Sequence, residues 1–278
     1  MTHSDTSLNP APILILGASG KTGRRIAARL RQQGVAIREA RRPAFDWQQP
    51  DTWAAMLRGA RSAYIAYAPD LAVPGAIETM AAFARQAAMA GLQHLVLLSG
   101  RGEPEAEACE KLVQRAGPAW TILRASWFMQ NFSEEFLGDA IRQGAVPLPL
   151  GDVREPFIDA DDIAEVAVAA LLNPARHGGQ LYELTGPELL SFPAAIAGIG
   201  AALQRDIAYI NVPQEDYFAA MAEQGLPAEY IALVRYLFTT VLDGRNESVA
   251  DGVQRALGRP AKSFADFTGA AAAAGAWS

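Results

Sequence analysis

The chemistry available to this chain is concentrated in one glycine-rich turn. Gly17-x-x-Gly20-x-x-Gly23 follows the continuous apolar run Ile13-Leu14-Ile15-Leu16 and leads into a helical stretch that reaches Gln33. Between a strand and a helix, glycines at this spacing permit a tight turn. They also let backbone N–H groups approach a diphosphate at the helix N-terminus. The turn contains Gly20-Lys21-Thr22, the last three residues of a Walker A loop, but the glycine that loop needs five residues earlier is Ile15, inside the strand. A kinase or ATPase site fails on that geometry, and Lys21 reads as a loop lysine near the phosphates. At the end of the second strand an NAD site would place a carboxylate on the ribose 2′-hydroxyl. This chain has Arg38, Arg41 and Arg42 there, with Glu39 expected to point away from the face that holds Arg38 and Ala40. Planar, permanently charged guanidinium groups suit a 2′-phosphate, so the spacing predicts NADP(H).

An acid for the reaction is harder to find. Carbonyl reductases of the Tyr-x-x-x-Lys type deliver a proton from the tyrosine as hydride arrives. None of the seven tyrosines here (64, 67, 182, 209, 217, 230 and 236) has a lysine four residues on. Ser99, at the end of the fourth strand, reads equally as a catalytic hydroxyl and as a plain strand terminus. Metal chemistry is not signalled: there are three histidines with no pair at helical spacing, and the single Cys109 can form neither a cysteine pair nor an internal disulfide. The formal net charge of −6 argues against nucleic acid as the main partner. No apolar run approaches the roughly 18–20 residues that span a bilayer. Residues 1–12 form a polar, flexible leader without the apolar core of a secretory signal. A soluble, cytoplasmic protein is expected.

The elements that position these residues follow from the hydrophobic pattern. Strands at Ile13–Leu16, Val35–Ala40, Ala63–Ala68, His94–Leu98 and Ala119–Leu123 alternate with helices ending near Gln33 and around Asp51–Leu57, Gly75–Ala90 and Glu105–Gln114. That alternation predicts an α/β fold, a Rossmann-type doubly wound parallel sheet. After Arg124 the rhythm changes. A helix Asp161–Leu172 with Asp161 or Asp162 near its start, a strand Gln180–Thr185, a helix Phe192–Leu203 and a strand Asp206–Val212 precede a mostly helical remainder with an alanine-rich tail. Residues 13–155 are expected to form the NADP-binding domain and 156–278 a smaller mixed C-terminal substrate-side lobe interleaved with it.

Several stretches carry a resemblance: Gly-x-x-Gly-Lys-Thr at 17–22, Phe45-Asp46-Trp47, Ala68-Pro69-Asp70-Leu71, Leu123-Arg124 with Trp127-Phe128-Met129 and Asn131, Pro156-Phe157-Ile158, Ala160-Asp161-Asp162-Ile163-Ala164 and Gly186-Pro187-Glu188-Leu189-Leu190-Ser191. Over nearly its whole length the chain resembles the NmrA-like, atypical branch of the short-chain dehydrogenases. Within that branch it resembles the ergot-alkaloid type reductases, the agroclavine and festuclavine dehydrogenase family. It departs from them in having Ala125 after the Leu-Arg pair, where proline is usual, and in a shorter, very acidic 101–108 stretch at what would be the active-site rim.

The resemblance implies specific roles. Gly17, Ser19, Gly20, Thr22 and Gly23 should line the diphosphate, with Arg42 and Arg41 at the 2′-phosphate and Asp46 and Trp47 flanking the adenine. Ala66, Tyr67 and Ala68 should run beneath the nicotinamide ribose. Ser99, Ala125, Trp127, Phe128 and Phe157 are the candidates around the nicotinamide. Arg124 and Asn131 are expected to order the pocket by satisfying loop carbonyls, and Asp159, Asp161 and Asp162 to start a helix or favour a cationic substrate. The activity implied is reduction of a small imine or iminium in specialised metabolism. An iminium that accepts hydride becomes a neutral amine and needs no acid, which accords with the missing tyrosine. Quinone reduction by NADPH and an NADP(H)-sensing regulator without turnover are the alternatives. The oligomeric state is open.

Overall fold

The computed structural model describes residues 11–134 and 136–278. The apolar run is strand β1 (Ile13–Leu16), with all four side chains fully buried. Helix α1 (Lys21–Gln32) ends where Gly34 adopts a left-handed φ of 69°. There follow β2 (Ile37–Ala40), α2 (Trp53–Leu57), β3 (Ser62–Ile65), α3 (Ala76–Met89), β4 (His94–Gly100), α4 (Pro104–Gln114) and β5 (Ala119–Ala125). Strands β4 and β5 both outrun the apolar pattern, because Ser99 and Gly100 pair in register with Arg124 and Ala125. Beyond them come α5 (Phe136–Gln143), β6 (Ala145–Leu148), β7 (Arg154–Glu155), α6 (Ala160–Leu172), α7 (Pro174–His177), β8 (Gln180–Leu184), β9 (Leu190–Ser191) and α8 (Phe192–Leu203). The chain closes with β10 (Ala208–Asn211), α9 (Gln214–Glu223), α10 (Ala228–Tyr236), α11 (Gly252–Leu257) and α12 (Phe264–Ala273).

The main sheet is parallel, in the order β2-β1-β3-β4-β5-β8. From β1 the chain moves outward to β2 and then returns to the other side as β3. This reversal leaves a crevice at the carboxyl ends of β1 and β3, the ligand-binding position of open parallel sheets. One face of the sheet is covered by Ile26, Leu30, Ile163, Ala167 and Val253 from α1, α6 and α11. The other is covered by Trp53, Met80, Phe83, Cys109 and Val113 from α2, α3 and α4.

A third core, built on Phe132, Phe157, Phe192 and Phe264, belongs to the smaller lobe. The chain passes between the two units more than once. Helix α6 and strand β8 sit with the main sheet, although both follow residue 155, whereas α5 and β6 sit with the lobe. The alanine-rich C-terminus is held in place, since the Trp277 indole N–H donates to the Phe132 carbonyl at 2.7 Å. Asp161 and Asp162 lie in the first turn of α6, as expected, and the N-cap is Asp159, whose carboxylate accepts from the Asp161 N–H at 2.7 Å. Asp161 pairs with Arg29 and Asp162 with Arg259. Residues 1–10 of the expected leader lie outside the described residues. No described helix is long and apolar enough to cross a membrane.

Candidate active site

A cleft of about 640 Å³ opens along the carboxyl ends of β1, β3, β4 and β5. Gly17, Ser19, Gly20, Lys21 and Thr22 form one end. Gly17 has a φ of 72°, and a Cβ there would stand 3.0 Å from that of Ala66, so the turn needs glycine on both counts. Gly20 is the N-cap of α1. It offers no side chain to the first N–H groups of the helix, and no acidic residue occupies the first turn. Such an end is electrostatically open to an anion, and its residues fit a diphosphate.

Gly23 does not reach the cleft. A Cβ on it would collide with the Gly17 carbonyl oxygen, so its role is close packing of α1 against the end of β1. Behind the loop the Tyr64 hydroxyl donates to Thr22 Oγ1 at 2.8 Å, and burial raises the phenol far above its usual pKa.

The residues expected on the adenine side also lie outside the lining of the cleft. Arg41 and Arg42 follow β2, whose Ala40 stands beside Leu16 at the mouth of the glycine turn. Arg42 is largely exposed, 3.4 Å from Asp46, and Arg41 pairs with Glu39. Arg38 is committed elsewhere: it donates to the carbonyls of Met56 and Arg58, both at 2.7 Å, and so braces α2. Trp47 is a core residue, packed edge-on to Phe45 and 4.8 Å from the ring of Tyr67. Burial leaves it no open face for a base.

The middle of the cleft is lined by Ala66, Tyr67 and Ala68 after β3, by Leu98, Ser99 and Gly100 of β4, and by Ala125, Trp127 and Phe128 after β5. Phe157 is not part of this lining. It points into the lobe core, with ring centroids 5.2 Å from both Phe132 and Phe192. Trp127 packs on Phe192 and Phe238. Asn131 lines the cleft. Arg124 binds carboxylates rather than loop carbonyls, donating to both oxygens of buried Glu110 at 2.9 and 2.6 Å. Ser99 donates to the same carboxylate at 2.6 Å.

Two groups of residues were not foreseen from the sequence. Tyr230, Leu233 and Val234 of α10, with Leu237, Phe238, Val241 and Leu242 just beyond it, form an apolar roof. Asp70, Glu103 and Glu155 add carboxyl groups to the lining. Glu103 falls in the acidic run expected at the rim, Asp70 in the Ala68-Pro69-Asp70-Leu71 stretch that carries the resemblance, and Glu155 in the glycine- and proline-rich 143–156 segment. The Glu103 carboxyl folds over Gly100, where an added Cβ would collide with it, and it shares a hydrogen bond with Asp70. Burial and the Asp70 charge push the Glu103 pKa well above the carboxylate range, so the pair holds one proton at neutral pH. Glu155 is 1% exposed, and neither of its oxygens has a hydrogen-bond partner. Burial pushes it up to about 7.

Residues 107–254 match the NmrA-like family. A curated relative, the uncharacterized oxidoreductase YesF of Bacillus subtilis, is 32% identical over 94% of this chain and 96% of its own. The chain belongs to the NmrA-like family. The NAD(P)H azoreductase of Xenophilus azovorans is 31% identical, with 94% and 98% covered. Agroclavine dehydrogenase of Claviceps fusiformis is 29% identical, with 92% and 95% covered. Two solved structures share the fold. Citrobacter sp. triphenylmethane reductase complexed with NADP(H) superposes with a TM-score of 0.74 at 18% identity, over 93% of this chain and 99% of its own. An NADPH-dependent quinone oxidoreductase of Escherichia coli complexed with NADPH gives 0.73 at 20% identity, over 92% and 98%.

Proposed function

We propose that this NmrA-like protein is an NADPH-dependent reductase that transfers hydride to a small imine or iminium acceptor. One observation carries the reading: the cleft runs without a break from an anion-ready helix start to an aromatic chamber, and no Tyr-x-x-x-Lys pair lines it. NADP(H), when bound, supplies the hydride. Gly17, Ser19, Gly20, Lys21 and Thr22 hold the diphosphate, and Arg41 and Arg42 hold the 2′-phosphate. Ala66, Tyr67 and Ala68 support the nicotinamide ribose, and Ser99 and Ala125 border the ring. Trp127 and Phe128 bound the chamber with the α10 roof, so that they exclude water and limit the poses of the acceptor carbon. An iminium carbon that takes hydride becomes part of a neutral amine and asks for no proton from the wall; a neutral imine reaches the same state by taking its proton from water before hydride arrives.

A second reading is reduction of a quinone or an azo dye, activities that the names of related proteins carry. The proton held by Glu103 and Asp70 favours it, since such acceptors take up protons along with hydride. NADPH oxidation across cyclic imines, N-alkylated iminium salts, quinones, azo dyes and ketones tests both. Turnover of imines or iminium salts is expected. Turnover of quinones or azo dyes alone would establish the second reading. Tight NADP(H) binding without turnover of any class would favour a regulator instead.

A further inference from the structure

Glu155 sits in an unusual electrostatic position for a carboxylate with no partner. It lies on β7, on the lobe side of the cleft, and is almost completely buried. Neither of its oxygens accepts a hydrogen bond of normal geometry, although Arg101 and the Asn246 amide stand near enough to favour its charged form, and it lines the cavity. An ionised carboxylate in that condition costs several kcal/mol, so a fold that keeps one needs a reason to do so. The cation beside it does not supply that reason. Arg101 spends its guanidinium on the carbonyls of Asn246 and Ser248, at 2.9 and 2.7 Å, and on the Ser248 hydroxyl at 2.7 Å. From the sheet side, Glu103 and Asp70 add further negative charge that one shared proton only partly cancels. The same cleft is lined by aromatic and aliphatic side chains, including Trp127 and Phe238. Among the described residues, no group of three carboxylates, histidines or cysteines is close enough to hold a metal ion. The missing charge therefore suits a bulky, diffuse cation.

We propose that Glu155, which shares the cleft with the Glu103–Asp70 pair and with the aromatic side chains of Trp127 and Phe238, anchors the positively charged nitrogen of the acceptor, so that the site selects planar organic cations. This rests on the reductase reading and deepens it: the carboxylate draws in an iminium and loses its hold once hydride has made the nitrogen neutral. The aromatic walls contribute cation–π attraction to the same charge. The groups that set the ionisation of Glu155 are Arg101 and the Asn246 amide, which favour the charged form, and Glu247, which opposes it.

The test uses the full chain saturated with NADP+, so that no hydride is available. Binding of the 2-methylisoquinolinium cation and of its uncharged isostere 2-methylnaphthalene is followed by tryptophan fluorescence at pH 8. The cation is expected to bind at least about tenfold more tightly than the isostere. Glu155→Gln should reduce that ratio to about threefold or less, while the isostere's Kd stays within about twofold. The wild-type chain gives an independent reading that needs no variant. Because Glu155 ionises near neutrality, the cation's Kd should tighten about tenfold from pH 6 to pH 8, and the isostere's should stay flat. Equal affinities in the wild type, a ratio untouched by Glu155→Gln, or a flat pH profile would each overturn the proposal. Replacing NADP+ by NADPH reads turnover separately. Selective cation binding without turnover counts against the reductase reading alone, and turnover without selectivity counts against the cation site alone.

Discussion

Ser99 donates its hydroxyl hydrogen to Glu110 at 2.6 Å, and the same buried carboxylate receives the Arg124 guanidinium through two hydrogen bonds. The serine that stands where a catalytic hydroxyl was sought is thereby tied into the wall between β4 and α4. Its proton is spent on Glu110.

Ser99→Ala should therefore lower kcat by no more than about threefold and cost about 1.5–3 kcal/mol of stability, the usual worth of a hydrogen bond to a charged group. A fall of a hundredfold or more in kcat, with KM unchanged, would show that the hydroxyl acts on the reacting atoms.

Glu110→Ala is expected to be far more damaging, because it strands Arg124 in a half-buried position with only Glu183 and Glu107 as weaker partners. Breaking a buried ion pair from one side costs about 3–5 kcal/mol. Denaturant unfolding of the variant measures it directly, and a loss below about 1 kcal/mol would count against the pair as a structural tie.

Glu155→Gln should stabilise the protein at alkaline pH. Burial raises the Glu155 pKa from 4.5 to about 7, so the folded state binds the extra proton between those values and loses stability as pH rises through them. The penalty is complete above pH 7 and amounts to about 3 kcal/mol at most. At pH 8 the variant should melt roughly 5 °C higher than the wild type, and the two should converge near pH 4.5. A variant that melts lower at pH 8 would mean that the carboxylate has a structural partner.

Arg41→Ala with Arg42→Ala should raise the Kd for NADPH by about tenfold or more and leave that for NADH within about twofold, since forked guanidinium donors reward only the 2′-phosphate. Equal weakening of both cofactors would remove these arginines from that role.

Gly23→Ala should lose cofactor binding through the backbone. Its new Cβ would collide with the Gly17 carbonyl oxygen, displacing the turn or the start of α1. NADPH binding followed by fluorescence should be lost or weakened by about two orders of magnitude, in contrast to an alanine at exposed Gly269 on α12, where nothing lies within 4 Å of the added carbon.

The sheet and its phosphate end were legible in the sequence because their causes are local. A four-residue apolar run between Pro12 and Gly17 is too short for a buried helix and reads as a buried strand entering a turn, and the spacing of Gly17, Gly20 and Gly23 encodes steric needs within a few residues. The acceptor end was not legible to the same degree. Phe157 and Trp127 have similar neighbours in sequence, yet Phe157 faces the lobe core while Trp127 lines the cleft. Trp47 and Arg38 likewise carry the right residue types, but packing against Tyr67 and the carbonyls of Met56 and Arg58 claims them first.

By itself the sequence determined the parallel sheet, the dinucleotide turn and the absence of a Tyr-x-x-x-Lys acid, each a matter of residue type at short spacing. Only the tertiary structure decided which carboxyl groups line the cleft. Asp70 and Glu103 come from the connections after β3 and β4 and Glu155 from β7, and whether each is paired, protonated or left without a partner depends on burial and on neighbours far away along the chain. Desolvation is a property of the assembled interior, and no local pattern of residues can record it.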